Sequence, residues 1–164
     1  MKKLFILFIA VAGFGVSSYA QVVTQNGTSS AKLISPITIA ATRANLEFGI
    51  LAKGLSDGTV VIAPTAAGAR TSTNVDLVGT PTNNSAIFTA THEDASQITW
   101  GFPSPTVDLI SGSDHLTVTL SNSGLSGSAT GTSDIIYVGG SLAVPSTAAA
   151  GTYSGTFAIT AAYN

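Results

Sequence analysis

The two histidines of this sequence each stand beside an acidic residue, an arrangement that could supply a general base and the group that orients it. His92 precedes Glu93 and Asp94, and His115 follows Asp114. A triad hydrolase also needs a nucleophile held against the base on a sharp turn. We interpret both histidines as ordinary residues at a solvated turn and a strand start, and we predict that the protein is not an enzyme.

Metal and carbohydrate binding are the other kinds of chemistry that single residues suggest. Zinc would require cysteine or several closely spaced histidines, and the chain has no cysteine. The oxygen ligands between Asp108 and Asp114 match no calcium-loop spacing. Trp100 and Phe102 could form a carbohydrate platform, but their alternation with Ile98 is typical of a core strand. We predict no catalytic, cofactor-binding or metal site and no cofactor.

The N-terminus has the features of a secretion signal. Lys2 and Lys3 precede an uncharged apolar run over residues 4–16, and Ser18-Tyr19-Ala20 has the small-x-small pattern of a cleavage site. The run is shorter than the roughly 20 residues of a membrane-spanning helix. We therefore predict a cleaved signal peptide over residues 1–20, export to the periplasm, cell surface or medium, and no membrane segment in the mature form.

Charge and cysteine content limit the partners of the mature chain. Four basic side chains remain after residue 20 against eight acidic ones, a net charge of about −4. Such a surface has no basic patch for phosphates, so nucleic acid is an unsuitable partner. Without cysteine the protein has neither disulfides nor a lipid-bearing N-terminal thiol, and its stability must come from burial and hydrogen bonds.

The secondary-structure elements that would position these residues are β-strands. Thr, Val, Ile and Ala dominate the mature chain, and Gly, Pro, Asn and Ser recur about every ten residues. We predict eight or nine strands and no helix, hence one antiparallel β-sandwich over residues 31–164 after an N-terminal extension over residues 21–30. Residues 86–91 and 97–102 read as a hairpin. Residues 135–144 read as two strands interrupted by Gly139-Gly140.

The first and last strands have the clearest alternation. Residues 31–40 place Leu33, Ile37 and Ile39 on one face, and Pro36 marks this strand as an edge. The last strand, over residues 153–163, places large apolar side chains on one face and small or hydroxylated ones on the other. A terminal strand of this kind needs a neighbour from elsewhere in the chain or from another molecule.

Five segments in this order resemble the bacterial family called domain of unknown function 4402. They are residues 34–39 (ISPITI), 46–49 (LEFG), 58–62 (GTVVI), 137–144 (YVGGSLAV) and 151–163 (GTYSGTFAITAAY). This family looks like a distant relative of the spore-coat-U and archaic chaperone–usher pilin domains. Those domains share the L-x-FG block and a closing G-x-Y strand.

The resemblance implies an immunoglobulin-like sandwich that lacks its final strand. In the pilins a periplasmic chaperone fills the gap first, and the N-terminal extension of the next subunit replaces it, which is β-strand addition. For this chain it implies a donor segment over residues 21–35 and an acceptor groove bordered by the terminal strand. The candidate donor residues are Val23, Leu33, Ile37 and Ile39, and the candidate acceptor-edge residues are Tyr153, Phe157, Ile159 and Tyr163.

The sequence is compatible with two functions. The first is a non-enzymatic, exported structural or adhesive protein, a subunit of a pilus-like surface fibre that assembles with its own copies and a chaperone. The second is a soluble secreted binding module with a closed sandwich, for example for carbohydrate. The difference depends on whether residues 33–39 are donated to a neighbour or fold back as the first strand of their own domain.

Overall fold

The computed structural model describes residues 21–79, 84–93, 98–124 and 132–163, and it contains strands but no helix among them. All strand pairings in this part are antiparallel, which confirms the all-β, antiparallel prediction. The predicted signal peptide lies outside the described residues. The strands are β1 (Thr38–Arg43), β2 (Ile50–Lys53), β3 (Gly58–Ile62), β4 (Arg70–Thr73), β5 (Val75–Val78), β6 (Ala86–Thr91), β7 (Ile98–Gly101), β8 (Thr106–Ser111), β9 (Asp114–Asn122), β10 (Ser133–Val144) and β11 (Thr160–Tyr163).

The chain divides into two compact units between Lys32 and Leu33. In the first unit, the described residues 21–32 form no strand or helix, and their side chains are exposed. The second unit contains all eleven strands of the described chain. Its main sheet curls into a half-barrel around β10, and two short sheets, β2–β5 and β7–β11, complete the domain.

β10 is the central strand because three other strands pair along its twelve residues. Its first half pairs with β6, and its second half pairs with β3. β9 pairs along its middle, from Val138 to Leu142. The side chains that β3, β9 and β10 turn inward form the core, because alternate residues of each strand are buried. Examples are Val60, Ile62, Leu116, Val118, Leu120, Val138 and Leu142.

Gly139 is the residue at which β10 changes its partner from β6 to β3. The predicted interruption at Gly139-Gly140 is therefore wrong, since the strand continues through both glycines. A Cβ atom on Gly139 would overlap the carbonyl oxygen of Ile62 and lie 2.7 Å from the nitrogen of Pro64. The glycine is needed for close approach of backbones and not to end the strand.

Replacement of Gly139 by alanine is expected to lower the free energy of unfolding by about 3 kcal/mol, the upper part of the overpacking range, because backbone atoms cannot move aside. The matched control is Gly124→Ala, where a Cβ atom meets nothing within 4 Å. The control is expected to change stability by less than about 0.5 kcal/mol. Urea denaturation of both variants measures the difference, and equal stabilities would contradict this account of Gly139.

The strand partners differ from the predicted hairpin. β6 pairs with β1 on one edge and β10 on the other, while β7 pairs with β11. Periodicity within a segment says which face is apolar and does not say which strand lies beside it. Two strands, β4 and β8, were not predicted, since β4 is polar and β8 follows two prolines.

The first strand begins later than predicted, at Thr38. Pro36 has no backbone N–H to donate, so the ladder with β6 starts only beyond it. From Thr38 to Arg43 the strand pairs with β6 alone, and its other edge has no partner among the described residues.

Candidate functional site

Two segments of the second unit border an open apolar groove. Residues 44–53 form one side, here called the first wall, and residues 148–157 form the other, the second wall. The space between them has a volume of about 1260 Å³. Its floor consists of side chains from β8, β9 and β10, mainly Leu109, Leu116, Val118, Leu120, Leu142 and Val144.

Among the described residues, the first wall has strand partners along one edge and none along the other. Glu47 and Asn84 exchange two backbone hydrogen bonds of 2.9 and 3.1 Å, and β2 pairs with β5. β2 has no second partner strand in the described part of the chain. The first wall therefore offers a free backbone edge, which is where a further strand can add.

Gly49 shifts the direction of the side chains halfway along the first wall. Leu46 and Phe48 pack on the core before it, and Leu51 does so after it, while Ile50 is 67 % exposed. Gly49 has φ +75°, a left-handed conformation that favours glycine. A guanidinium nitrogen of Arg70 donates to the Phe48 carbonyl over 2.7 Å, and it would lie 2.5 Å from a Cβ atom on residue 49.

In the described part of the chain, the backbone of the second wall is joined to a neighbouring strand by one bridge. Ile110 of β8 and Ser154 exchange two backbone hydrogen bonds of 2.8 and 3.2 Å, the isolated bridge of this segment. Gly155 passes so close to β8 that a Cβ atom would lie 2.5 Å from the Asp108 carbonyl oxygen. Beyond that point a cleft of about 390 Å³ lies between β8 and residues 155–158. The second wall has no strand on its groove side among the described residues.

The two walls run in opposite directions. At one end, the Lys53 ammonium group donates to the Ala148 carbonyl over 2.6 Å. At the other end, the rings of Phe157 and Phe88 form an edge-to-face pair with centroids 6.1 Å apart. Phe88 lies opposite Ala41, three residues before the first wall begins. A strand between the walls would thus be antiparallel to one wall and parallel to the other.

Asp57 and Ser146 fix the turn that leads into the second wall. The carboxylate of Asp57 accepts from the Ser146 N–H over 2.8 Å and from the Ser146 hydroxyl over 3.0 Å. These two bonds hold the pKa of the Asp57 carboxyl below its ordinary value, the backbone N–H contributing more than the hydroxyl. The two bonds therefore favour the ionised form of this carboxyl.

Removal of the Ser146 hydroxyl is expected to raise the pKa of Asp57 part of the way toward its ordinary value of about 3.9, because the N–H bond remains. A carboxyl with a depressed folded-state pKa stabilises the fold above about pH 4, and this contribution is lost as the pH falls through the folded-state pKa. Ser146→Ala should accordingly weaken the acid dependence of stability. Carboxyl NMR titration measures the pKa.

The matched control for this titration is Ser104→Ala, whose hydroxyl donates to the Thr106 carbonyl and to no acid. An Asp57 pKa that is the same in Ser146→Ala and in the control would contradict the assigned cause.

The predicted acceptor-edge residues are divided between the groove and its surroundings. Tyr153 and Phe157 line the groove. Ile159 packs against the core, and Tyr163 lies in β11. The predicted terminal strand forms a ladder only over Thr160–Tyr163, although burial alternates from residue 156 onward.

The predicted donor residues are also divided. Ile39 lies in β1 opposite Ala90 of the same domain, and Ile37 is half-buried just before that strand. Leu33 is 98 % exposed and Val23 is 72 % exposed. Thus residues 38 and 39 are part of the domain's own sheet, while the apolar side chains near residues 23 and 33 are uncovered.

A polar cluster fixes the point at which the chain enters the domain. The Tyr163 hydroxyl donates to the Ser35 carbonyl over 2.8 Å, and the Ser35 hydroxyl donates to the Glu93 carboxylate over 2.9 Å. The Glu93 N–H donates to the Tyr163 oxygen over 3.3 Å. Ser35 is therefore attached to both β11 and the end of β6, and sequence analysis gave no sign of this.

Residues 37–163 match the family described as domain of unknown function DUF4402. The chain belongs to this family. The match begins one residue before β1 and ends with β11, so the DUF4402 domain contains the whole groove and leaves the extension outside. The resemblance seen in the five sequence segments is confirmed. No curated protein and no solved structure matches the chain.

The sequence predicted that His92 lies at a solvated turn, but the residue is buried in the DUF4402 domain. Its Nδ1 lies 2.8 Å from the Glu93 carbonyl oxygen, and its Nε2 lies 3.2 Å from a carboxylate oxygen of Asp134. The ring thus ties the end of β6 to the start of β10. His115 is exposed. No serine or threonine hydroxyl bonds to either ring in the described part of the chain.

One motif was missed in the sequence. Gly54-Leu55-Ser56-Asp57-Gly58 has the G-x-S-x-G spacing of a nucleophile elbow, which requires a strand, a sharp turn and a helix. Here the segment connects β2 to β3, and Ser56 is exposed. The DUF4402 domain therefore lacks the structural context of that motif at this position.

Metal-binding clusters and membrane-spanning helices are absent from the described residues. Within them, no three His, Asp or Glu side chains lie close enough to hold a metal ion. Trp100 is half-buried in β7 opposite Ala161. No helix in the described ranges has the length and apolarity to cross a membrane.

Proposed function

We propose that this protein is a non-enzymatic, exported structural subunit, and that its DUF4402 domain is an immunoglobulin-like sandwich completed by a β-strand from another copy. The groove carries the proposal. It combines an apolar floor with two backbone edges that have no strand between them in the described part of the chain. A surface with these two properties recognises an extended peptide with apolar side chains at alternate positions.

Strand addition would connect parts of the domain that are otherwise separate. A strand in the groove would pair with the first wall, which belongs to the β2–β5 sheet, and with the second wall, which is bridged to β8. Backbone hydrogen bonds would supply register, and each large apolar side chain placed on the floor would contribute about 1.5–3 kcal/mol. The open groove would thereby become a continuous core.

The predicted N-terminal extension over residues 21–30, together with residues 31–34, is the segment of this chain available for donation, and residues 21–34 are called the extension from here on. Residues 21–34 number fourteen and precede the attachment point at Ser35, and each wall has ten residues. Donation of this segment leaves β1 in its own sheet, so a subunit can give a strand and remain folded. Repetition of this step in one direction gives a fibre, since the two surfaces are different and the contact does not close on itself.

The resemblance to the archaic chaperone–usher pilins adds two expectations to the proposal. The predicted signal peptide would take the chain to the periplasm, and a chaperone would cover the groove there until a subunit arrives. An exposed apolar groove of this size would otherwise promote non-specific association.

Electrophoresis without heating tests the proposal on the full chain after periplasmic expression. We expect a ladder of multimers that collapses to a monomer band when the sample is boiled, because strand-exchanged contacts resist detergent better than surface contacts. A monomer band alone in the unheated lane would overturn the proposal and would favour the closed binding module.

A further inference from the structure

We infer that Lys32 of one copy pairs with Glu47 of the next, and that this pair directs the extension into the groove antiparallel to the first wall. The inference rests on the proposed function and specifies the register and direction of the donated strand. Lys32 is the one charged residue of positions 21–34. Glu47 is the one acidic residue among those that line the groove.

The side-chain alternation places the two charges on the same face. Glu47 stands between Leu46 and Phe48, which pack on the core, so its carboxylate lies on the outer side of the first wall. Lys32 stands between Ala31 and Leu33. When Ala31 and Leu33 point to the floor, the ammonium group of Lys32 lies on that same outer side, because successive side chains of a strand alternate.

The Glu47 carboxylate can form an ion pair with a cation from another copy. Its carboxylate accepts from the side-chain amides of Asn84 over 3.1 Å and Asn45 over 3.4 Å, both of which are neutral. No lysine or arginine forms an ion pair with Glu47 in the described part of the chain. Opposite charges on directly opposed strand residues are a favourable cross-strand pair.

The position of this pair decides the direction of the strand. With Lys32 opposite Glu47, an antiparallel strand places residues 31 to 27 along the wall toward Lys53, within the groove. A parallel strand would place Gly27 beside Thr42, outside the groove and along β1. The extra residue at Gly49 shifts the antiparallel register by one beyond it, so Gly27 lies opposite Lys53 at the end of the wall.

Leu55 supports the antiparallel direction. It lies two residues beyond the first wall and is fully exposed, so an apolar side chain of the donated strand could cover it. In the antiparallel register, Val22 and Val23 reach this connection, about 33 Å from Leu33 at the usual rise per strand residue. The two apolar ends of the extension would then cover the two ends of the groove.

Disulfide trapping tests the inference, and the absence of native cysteine makes every crosslink assignable. Full chains carrying Lys32→Cys and full chains carrying Glu47→Cys bear different tags and are co-expressed with export to the periplasm. Directly opposed strand residues have Cα atoms within the range that a disulfide spans, about 4.4–6.8 Å. We expect a mixed-tag disulfide dimer at least five times more abundant than with Thr73→Cys, an exposed control position on β4.

A second pair tests direction and does not alter Glu47. Gly27→Cys should crosslink between chains to Lys53→Cys and not to Thr42→Cys. Multimers that form without the 32–47 crosslink, or that trap residue 27 at Thr42, would overturn the inference and leave the proposed function standing. Trapping within a single chain that carries both cysteines would overturn the assignment to a second copy. Monomers with no crosslink in any pair would overturn the proposed function itself.

Discussion

Removal of residues 21–34 is expected to leave a folded DUF4402 domain that no longer forms multimers. The boundary follows from Ser35, which accepts a hydrogen bond from Tyr163 and donates one to Glu93. A deletion that ends at residue 34 keeps these bonds and all of β1. A deletion through residue 39 would also remove the first two residues of β1 and would confuse loss of assembly with loss of folding.

Unheated electrophoresis compares the truncated chain with the full chain, and circular dichroism checks that both remain folded. We expect at least a tenfold loss of multimers on truncation. A second variant, Leu33→Asp, keeps the length of the extension and places a charge against the apolar floor. It should lose multimers like the truncated chain, which would show that the apolar side chain and not the length of the extension is required. A ladder that persists after truncation would show that another surface holds the copies together.

Alternation in the sequence predicted individual strands well and their partners poorly. β6 was predicted at its observed bounds, and the inward row of β9, with Leu116 and Val118, is buried as expected. The partners of β6 come from the two ends of the domain, near residues 40 and 135. Such pairing depends on the whole fold, which no local pattern contains.

In the terminal segment, too, alternation of side chains does not predict backbone pairing, and part of this segment belongs to the second wall of the groove. Residues 153–163 alternate between half-buried and exposed side chains for most of their length, but only the last four form a ladder. Alternation reports which side chains face the core and does not report whether the backbone edges have partners. A strand-like sequence without strand pairing is what a groove wall requires, because its edge is reserved for another strand.

The groove could not be located from the sequence. Its walls are about one hundred residues apart in the sequence and pack on the same core, with the Lys53 ammonium group on the Ala148 carbonyl at one end. The resemblance to pilin domains predicted a groove beside the terminal strand, and it predicted Tyr153 as part of the edge. It gave no indication that Tyr163 instead belongs to the cluster that holds Ser35.

A peptide with the sequence of residues 21–34 is expected to raise the melting temperature of the truncated domain by about 10 °C at a concentration of 100 times its Kd. A ligand that binds the folded state alone stabilises it by about 2.7 kcal/mol at that ratio. For a domain of this size each kcal/mol raises the melting temperature by about 4 °C. The effect is large because an unfilled groove leaves the apolar floor in contact with water.

The control peptide carries Lys32→Glu, which keeps length and alternation but opposes Glu47 with a like charge. It should need at least a tenfold higher concentration for the same shift, and a Glu47→Lys domain should reverse the preference. Hydrogen exchange then identifies the site, since added backbone bonds should protect amides of both walls, residues 44–53 and 148–157. A melting temperature unchanged by either peptide would contradict the view that the extension completes this domain.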